Sequence, residues 1–152
     1  MDNWEDTEKA VRNKAERYCS QAERCVWDVE QKLDLWGADD ALRAKIIACL
    51  YDNGYLNDAR YCHAFVHDKV RFAQWGRQKI RYALRAKRLP DTEIENALQD
   101  IDEEEYTQSL RRLASSHSVR GKDRNSLIRF LLQRGYTYEE ISQKIAESLL
   151  LL

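Results

Sequence analysis

The chain has 152 residues, 43% of them hydrophobic and 34% charged, with one proline and five glycines. So few turn formers leave little room for loops and favour a mostly helical protein. A charged fraction above the roughly 25% of average domains favours thin packing over one thick core and speaks against a compact α/β enzyme.

The formal charge of −1 would argue against a polyanion partner only if the charges were evenly mixed. They are segregated: residues 1–55 sum to −4, 56–101 to +3 and 102–152 to 0, and the window from Lys69 to Arg88 holds eight Lys/Arg with no Asp or Glu. No run approaches the 18 or so apolar residues of a membrane helix. The start, MDNWEDTEKA, is acidic where a signal peptide would be basic and then apolar. A cytoplasmic protein without membrane contact is expected. Cys19, Cys25, Cys49 and Cys62 lie singly in helical patterns with no CxxC pair and read as small apolar core groups.

Apolar residues at three- and four-residue spacing, punctuated by Gly37, Gly54, Pro90 and Gly135, predict helices in chain order at 6–19, 21–36, 39–53, 57–74, 77–88, 91–100, 103–117, 123–134 and 138–150. Val26, Val29 and Leu33 run up to Trp36-Gly37, and Ile46, Ile47 and Leu50 run up to Asn53-Gly54. Asn57 or Asp58 can cap the fourth helix, and Asp91 or Thr92 opens the sixth. Thr137 with Glu140 forms a capping box for the ninth.

Residues 79–98 align without gaps on 126–145, a shift of 47 that superposes Leu84 on Leu131, Lys87 on Arg134, Leu89 on Tyr136, Pro90 on Thr137, Ile94 on Ile141 and Leu98 on Ile145. The first segment joins with a small insertion, Leu33 and Gly37 matching Leu131 and Gly135. A short unit that cannot hide its apolar face alone is stabilised by stacking on a neighbour. The expected fold is therefore all-α: three tandem three-helix repeats stacked into an elongated, curved, right-handed-type array. Its units are an N-terminal segment with an acidic repeat over 1–55, a basic repeat over 56–101 and a third repeat over 102–152.

The run NGYLNDARYCHAFVHDKVRFAQWGRQKIRYALRAKRLP resembles the central repeat of the bacterial RecX regulators: a Gly-Tyr-Leu-(Asp/Asn)-Asp start, an Arg-aromatic pair, a basic stretch, a Gly, and an amphipathic helix ending in a basic or Gly turn. IRFLLQRGYTYEEI resembles that family's third repeat. The likeness covers residues 15–150 in order and period. It departs at Arg88, where the family usually has Gly, and over the first 15 residues. The resemblance implies a non-enzymatic modulator that binds the RecA filament on single-stranded DNA, reaches into its groove and suppresses growth, ATP hydrolysis and strand exchange.

The residues themselves offer a basic interface. On a helix wheel Ile80, Ala83 and Leu84 share an apolar arc while Arg77, Arg81, Arg85 and Arg88 form a ridge on one flank, expected to be free for a partner. Guanidiniums at one-turn spacing suit rows of phosphates or carboxylates. Lys69, Arg71, Lys79 and Lys87 extend this patch, and Trp75 and Tyr82 could stack on exposed bases. The bland alternative is a solvated helix face, with Trp75 plugging the helix junction. Arg120, Lys122, Arg124, Arg129 and Arg134 form a second basic stretch, through a polar connector around Gly121 that reads as a basic loop or a plain linker. Stacking is expected to unite the two stretches into one positive concave stripe.

Little else points to chemistry. His63 and His67 lack the Glu of HExxH, no Gly-rich phosphate loop or nucleophile elbow is present, and neither a cofactor nor a metal is expected. Asp39-Asp40 and Glu103–Glu105 sit at expected helix N-termini, where they complement the helix dipole. Two further readings remain beside filament regulation by a monomer: a stand-alone single-stranded nucleic-acid binder and a generic helical adaptor. Binding through about six phosphates alone would lose on the order of a thousandfold in affinity between 50 and 200 mM salt.

Overall fold

The computed structural model describes residues 3–118 and 123–145. Among these residues the chain forms nine α-helices and no strand: α1 Asp6–Gln21, α2 Val26–Leu35, α3 Asp40–Asp52, α4 Asp58–Arg71, α5 Arg77–Ala86, α6 Asp91–Gln99, α7 Glu103–Ser118, α8 Arg124–Gln133 and α9 Tyr138–Lys144. No helix is long and apolar enough to cross a membrane. Asn57 caps α4 by accepting from the Arg60 N–H, and the Thr137–Glu140 capping box opens α9. One boundary differs clearly from the sequence expectation. The second helix begins at Val26 and not near 21, because Ala22 is extended and Cys25 supplies an unusual N-cap whose N–H and Sγ–H both donate to Asp28.

The repeat is visible in the backbone. The middle helix of each triplet ends in the same Schellman turn, in which two successive N–H groups reach back to helix carbonyls. These are Gly37 to Asp34 and Ala38 to Leu33; Arg88 to Arg85 and Leu89 to Leu84; Gly135 to Leu132 and Tyr136 to Leu131. The next residue, Asp39, Pro90 or Thr137, is the N-cap of the third helix. The turn requires a left-handed residue. Gly37 and Gly135 fill that place at φ 78° and 100°, but Arg88 fills it at φ 64°.

The helices pack in triplets α1/α2/α3, α4/α5/α6 and α7/α8/α9, and α4 also packs against α7. Ala15, Val29, Leu33, Ala38, Ile46, Leu50 and Leu56 form one core. A second, continuous core runs from Tyr61 to Ile145 through the last six helices and receives Cys25 from the first three. The aligned pairs Leu84/Leu131, Leu89/Tyr136, Ile94/Ile141 and Leu98/Ile145 all lie buried in it.

Two junctions join the triplets. Between the second and third, the backbones of Gly76 and Gly135 cross in contact: the Gly76 N–H donates to the Arg134 carbonyl (2.7 Å) and the Gln78 N–H to the Gly135 carbonyl (3.1 Å). The Tyr136 hydroxyl donates to the Gln74 carbonyl, and the Arg77 N–H to the Tyr106 hydroxyl. Between the first and second, Lys87 Nζ donates to Asp28 Oδ1 and to the Tyr61 hydroxyl, both at 3.0 Å, and Arg60 Nε meets Glu23 at 2.6 Å.

Candidate functional site

Ile80 and Leu84 of α5 are fully buried, as their spacing requires, which turns the arginines outward. The arginines are nonetheless not a free ridge. Arg81 makes a two-pronged bond to Glu95 of α6 (Nε 2.6 Å, Nη2 3.2 Å), and that bond holds the Glu95 carboxyl below its usual pKa. Arg85 pairs with Asp91 at 3.1 Å. Arg77 lies 4.2 Å above the Tyr106 ring and pairs with both Glu103 and Glu140. Lys87 is fixed at the first junction and lies 5.4 Å from the Trp27 ring. The expectation of a free ridge is therefore corrected: α6, α7 and α9 bring carboxylates back to the flank that a wheel of α5 alone leaves empty. Arg88 stands beyond the end of α5, exposed.

One group of cations without a carboxylate gathers at the α4–α5 corner. Lys69, in the last turn of α4, and Lys79, in the first turn of α5, hold their ammoniums 4.6 and 4.5 Å from the Trp75 ring. Lys69 is also 5.3 Å from the Phe65 ring. Trp75 is half-buried, edge-on to Phe65 and packed on the second core, so its ring plugs the junction and carries the two lysines. Arg134 enters this corner through the Arg134–Gly76 backbone bond, its guanidinium 5.2 Å from the Phe130 ring. Arg71 reaches the exposed Phe72. Among the described residues, none of Lys69, Arg71, Lys79, Arg88 and Arg134 has a carboxylate at ion-pair distance. Cation–π contact leaves such groups charged and available, because it neutralises nothing.

Tyr82 stands 78% exposed on α5, its ring open to a stacking partner. Arg124 and Arg129 are exposed on α8 and continue from Arg134 toward the other end of that helix, a ten-residue span of about 15 Å. Arg120 and Lys122 lie outside the described residues.

A groove of ≈ 330 Å³ between α4, α6 and the start of α7 has an apolar floor of Val66, Val70, Ala97 and Ile101 and a rim that includes Asp100, Asp102 and Glu105. His63 on that rim is held from both sides, Nδ1 against the Ala59 carbonyl and Nε2 against Asp100, each at 2.8 Å. Two acceptors on one imidazole favour its cationic form, so the His63 pKa lies above the ordinary value. The second triplet thus offers cations at the α4–α5 corner and carboxylates along the α4–α6–α7 groove.

Comparison with known proteins agrees with this architecture. The family model described as RecX, second three-helix domain, matches residues 57–98. A regulatory protein RecX from Clostridium botulinum (strain Eklund 17B / Type B) is 36% identical over 129 residues, covering 80% of this chain and 60% of the relative. The chain thus spans only 60% of that relative's length. The regulatory protein RecX of Vibrio parahaemolyticus is 30% identical over 134 residues, covering 84% of each chain. The crystal structure of RecX from Lactobacillus salivarius shares the fold, with a TM-score of 0.79 at 24% identity over 92% of this chain and 95% of that one. With nine helices in three similar triplets among the described residues and a relative matched over most of its length in the Vibrio protein, this chain belongs to the RecX family of regulatory proteins.

Proposed function

We propose that this protein binds the RecA recombinase filament on single-stranded DNA and restrains its growth, ATP hydrolysis and strand exchange, acting without catalysis of its own. The observation that carries the reading is the corner formed by Lys69, Lys79 and Arg134 in a chain of this family: three cations without carboxylate partners, on a scaffold fixed by the Gly76–Gly135 crossing. These cations meet the phosphates, and the acid-rimmed groove of the same triplet faces protein. A nucleoprotein filament presents both kinds of surface, whereas bare DNA would leave the groove rimmed by Asp100, Asp102 and Glu105 without a partner.

The test is RecA ATP hydrolysis on single-stranded DNA with increasing amounts of this protein. Wild type lowers the rate. A triple variant, Lys69→Glu, Lys79→Glu and Arg134→Glu, needs roughly tenfold more protein for the same effect, as expected from losing three charged contacts. Arg85→Gln, whose guanidinium already has Asp91, stays within about twofold of wild type. No inhibition by wild type, or equal inhibition by the triple variant, overturns the reading.

A further inference from the structure

We infer that the first triplet carries its own binding site for single-stranded nucleic acid, a groove between α1 and α2 in which Trp36 and Tyr18 receive a base while Lys14, Arg17 and Lys32 receive the flanking phosphates. The net charge of −4 over residues 1–55 hides this site, because the segment's carboxylates lie away from the groove and six of them are held in ion pairs. Glu8 pairs with Lys45, Glu16 with Arg12, Glu23 with Arg60, Asp28 with Lys87, and Asp34 and Asp40 both with Arg43. Besides Lys9, which has an interaction of its own, four cations of this segment remain outside the network. Among the described residues, Lys14, Arg17, Arg24 and Lys32 have no carboxylate at ion-pair distance.

Three of those cations stand over two aromatic rings, and Arg17 lines the groove beside them. The Arg24 guanidinium lies 3.9 Å over the Tyr18 ring and is steadied there by its Nε bond to the Tyr18 carbonyl at 3.2 Å. Lys32 stands 5.4 Å from the same ring, and Lys14 stands 5.8 Å from the Trp36 ring. A groove of ≈ 250 Å³ lies between them, lined by Lys14, Arg17, Tyr18, Gln21, Lys32 and Trp36, with no carboxylate. Tyr18 and Trp36 are half-buried against the first core, so the platform is rigid, while Lys14 and Arg17 are exposed and free to move.

Aromatic rings present flat faces, and a base is the flat partner that also brings an anion on each side. Bases of duplex DNA are not open to such a groove, so the ligand is a single strand. An acidic peptide would use the cations but leave the aromatic faces without a stacking partner. The volume lies below the roughly 300 Å³ at which pockets for drug-sized ligands begin, which suits one base and not a larger ring system. The inference deepens the reading above by giving its DNA a second point of contact, and its test uses no RecA, so the two stand or fall separately.

Fluorescence anisotropy of a labelled oligothymidylate is measured against the full chain over a range of salt. The charge-reversal variant Lys14→Glu, Arg17→Glu, Lys32→Glu, checked for helicity by circular dichroism, binds at least about tenfold more weakly, and its slope of log affinity against log salt is shallower by about 2. Unchanged affinity and slope overturn the proposal. For wild type, oligothymidylate binds roughly fivefold or more tightly than an abasic strand of the same length, as base–aromatic stacking requires. Equal binding of the abasic strand overturns the base platform. Displacement of the oligonucleotide by polyglutamate of equal charge at equal concentration overturns nucleic acid as the ligand in favour of an acidic peptide.

Discussion

The two junctions between triplets solve the same packing problem by opposite means. The second and third triplets share one apolar core and let two backbones touch at Gly76 and Gly135. The first and second keep largely separate cores and are linked through charged side chains, Lys87 to Asp28 and Arg60 to Glu23. Apolar contact is not screened by salt and fixes one geometry, while a polar link depends on a few atoms and leaves its neighbours less constrained. The last six helices therefore behave as one body that presents the Lys69–Lys79–Arg134 corner, and the first three as a module latched to it.

The most direct way to break this contrast is Gly76→Ala. A Cβ there would fall on the Gly135 carbonyl group, where no flexible side chain can yield, and the displaced backbone would lose its bonds to Arg134 and Gly135. Overpacking of this kind costs about 3 kcal/mol, read by urea unfolding. A loss below about 1 kcal/mol would mean that the crossing relaxes easily and the corner is not rigidly held.

Lys87→Met probes the other junction with a smaller effect. Asp28 is only 11% exposed, and without Lys87 its Oδ1 loses its ammonium partner, although Oδ2 keeps the Cys25 N–H. A fully buried pair broken on one side costs about 3–5 kcal/mol. Lys87 is 29% exposed, so solvent screening brings the expectation to about 2 kcal/mol. If the variant also unfolds in two steps, the first triplet opening before the rest, the latch is confirmed as the weaker joint. A single transition with unchanged midpoint would place the joint's strength elsewhere.

The same contrast explains what the sequence discloses. Apolar spacing and the 47-residue shift are local quantities, so Leu84 with Leu131, the caps Asn57 and Thr137, and the stops at Gly37, Gly54 and Gly135 are all legible in the order of residues alone. The start of α2 is not, because Cys25 does with a thiol and Asp28 what Ser, Thr, Asp or Asn usually do. Nor is the fate of the α5 arginines. Their partners Glu95, Glu103 and Glu140 stand 14, 26 and 63 residues later in the chain and meet them only after packing. Counting charge by segment misleads in the same way, making the first triplet look acidic while its free surface near Tyr18 and Trp36 is basic. Hydrophobic pattern is read from one helix, whereas free charge is a property of the assembled surface.

Arg88 provides the smallest and sharpest test, because it sits next to Lys87 at the place where Gly37 and Gly135 occupy the equivalent turns. A left-handed conformation costs a residue with a Cβ roughly 1–2 kcal/mol, and replacement by glycine recovers that strain while adding unfolded-state entropy of up to about 1 kcal/mol. Arg88→Gly is thus expected to stabilise the protein by about 0.5 kcal/mol, measurable as a shift in the urea midpoint with an unchanged slope. Its side chain is exposed and has no ion-pair partner among the described residues, so no contact is lost in exchange. A loss of stability would show that the arginine braces the turn and through it the latch. A gain accompanied by a weaker effect in the proposed RecA assay would point to a strained cation kept at the surface for binding, in the place where the other two triplets put glycine.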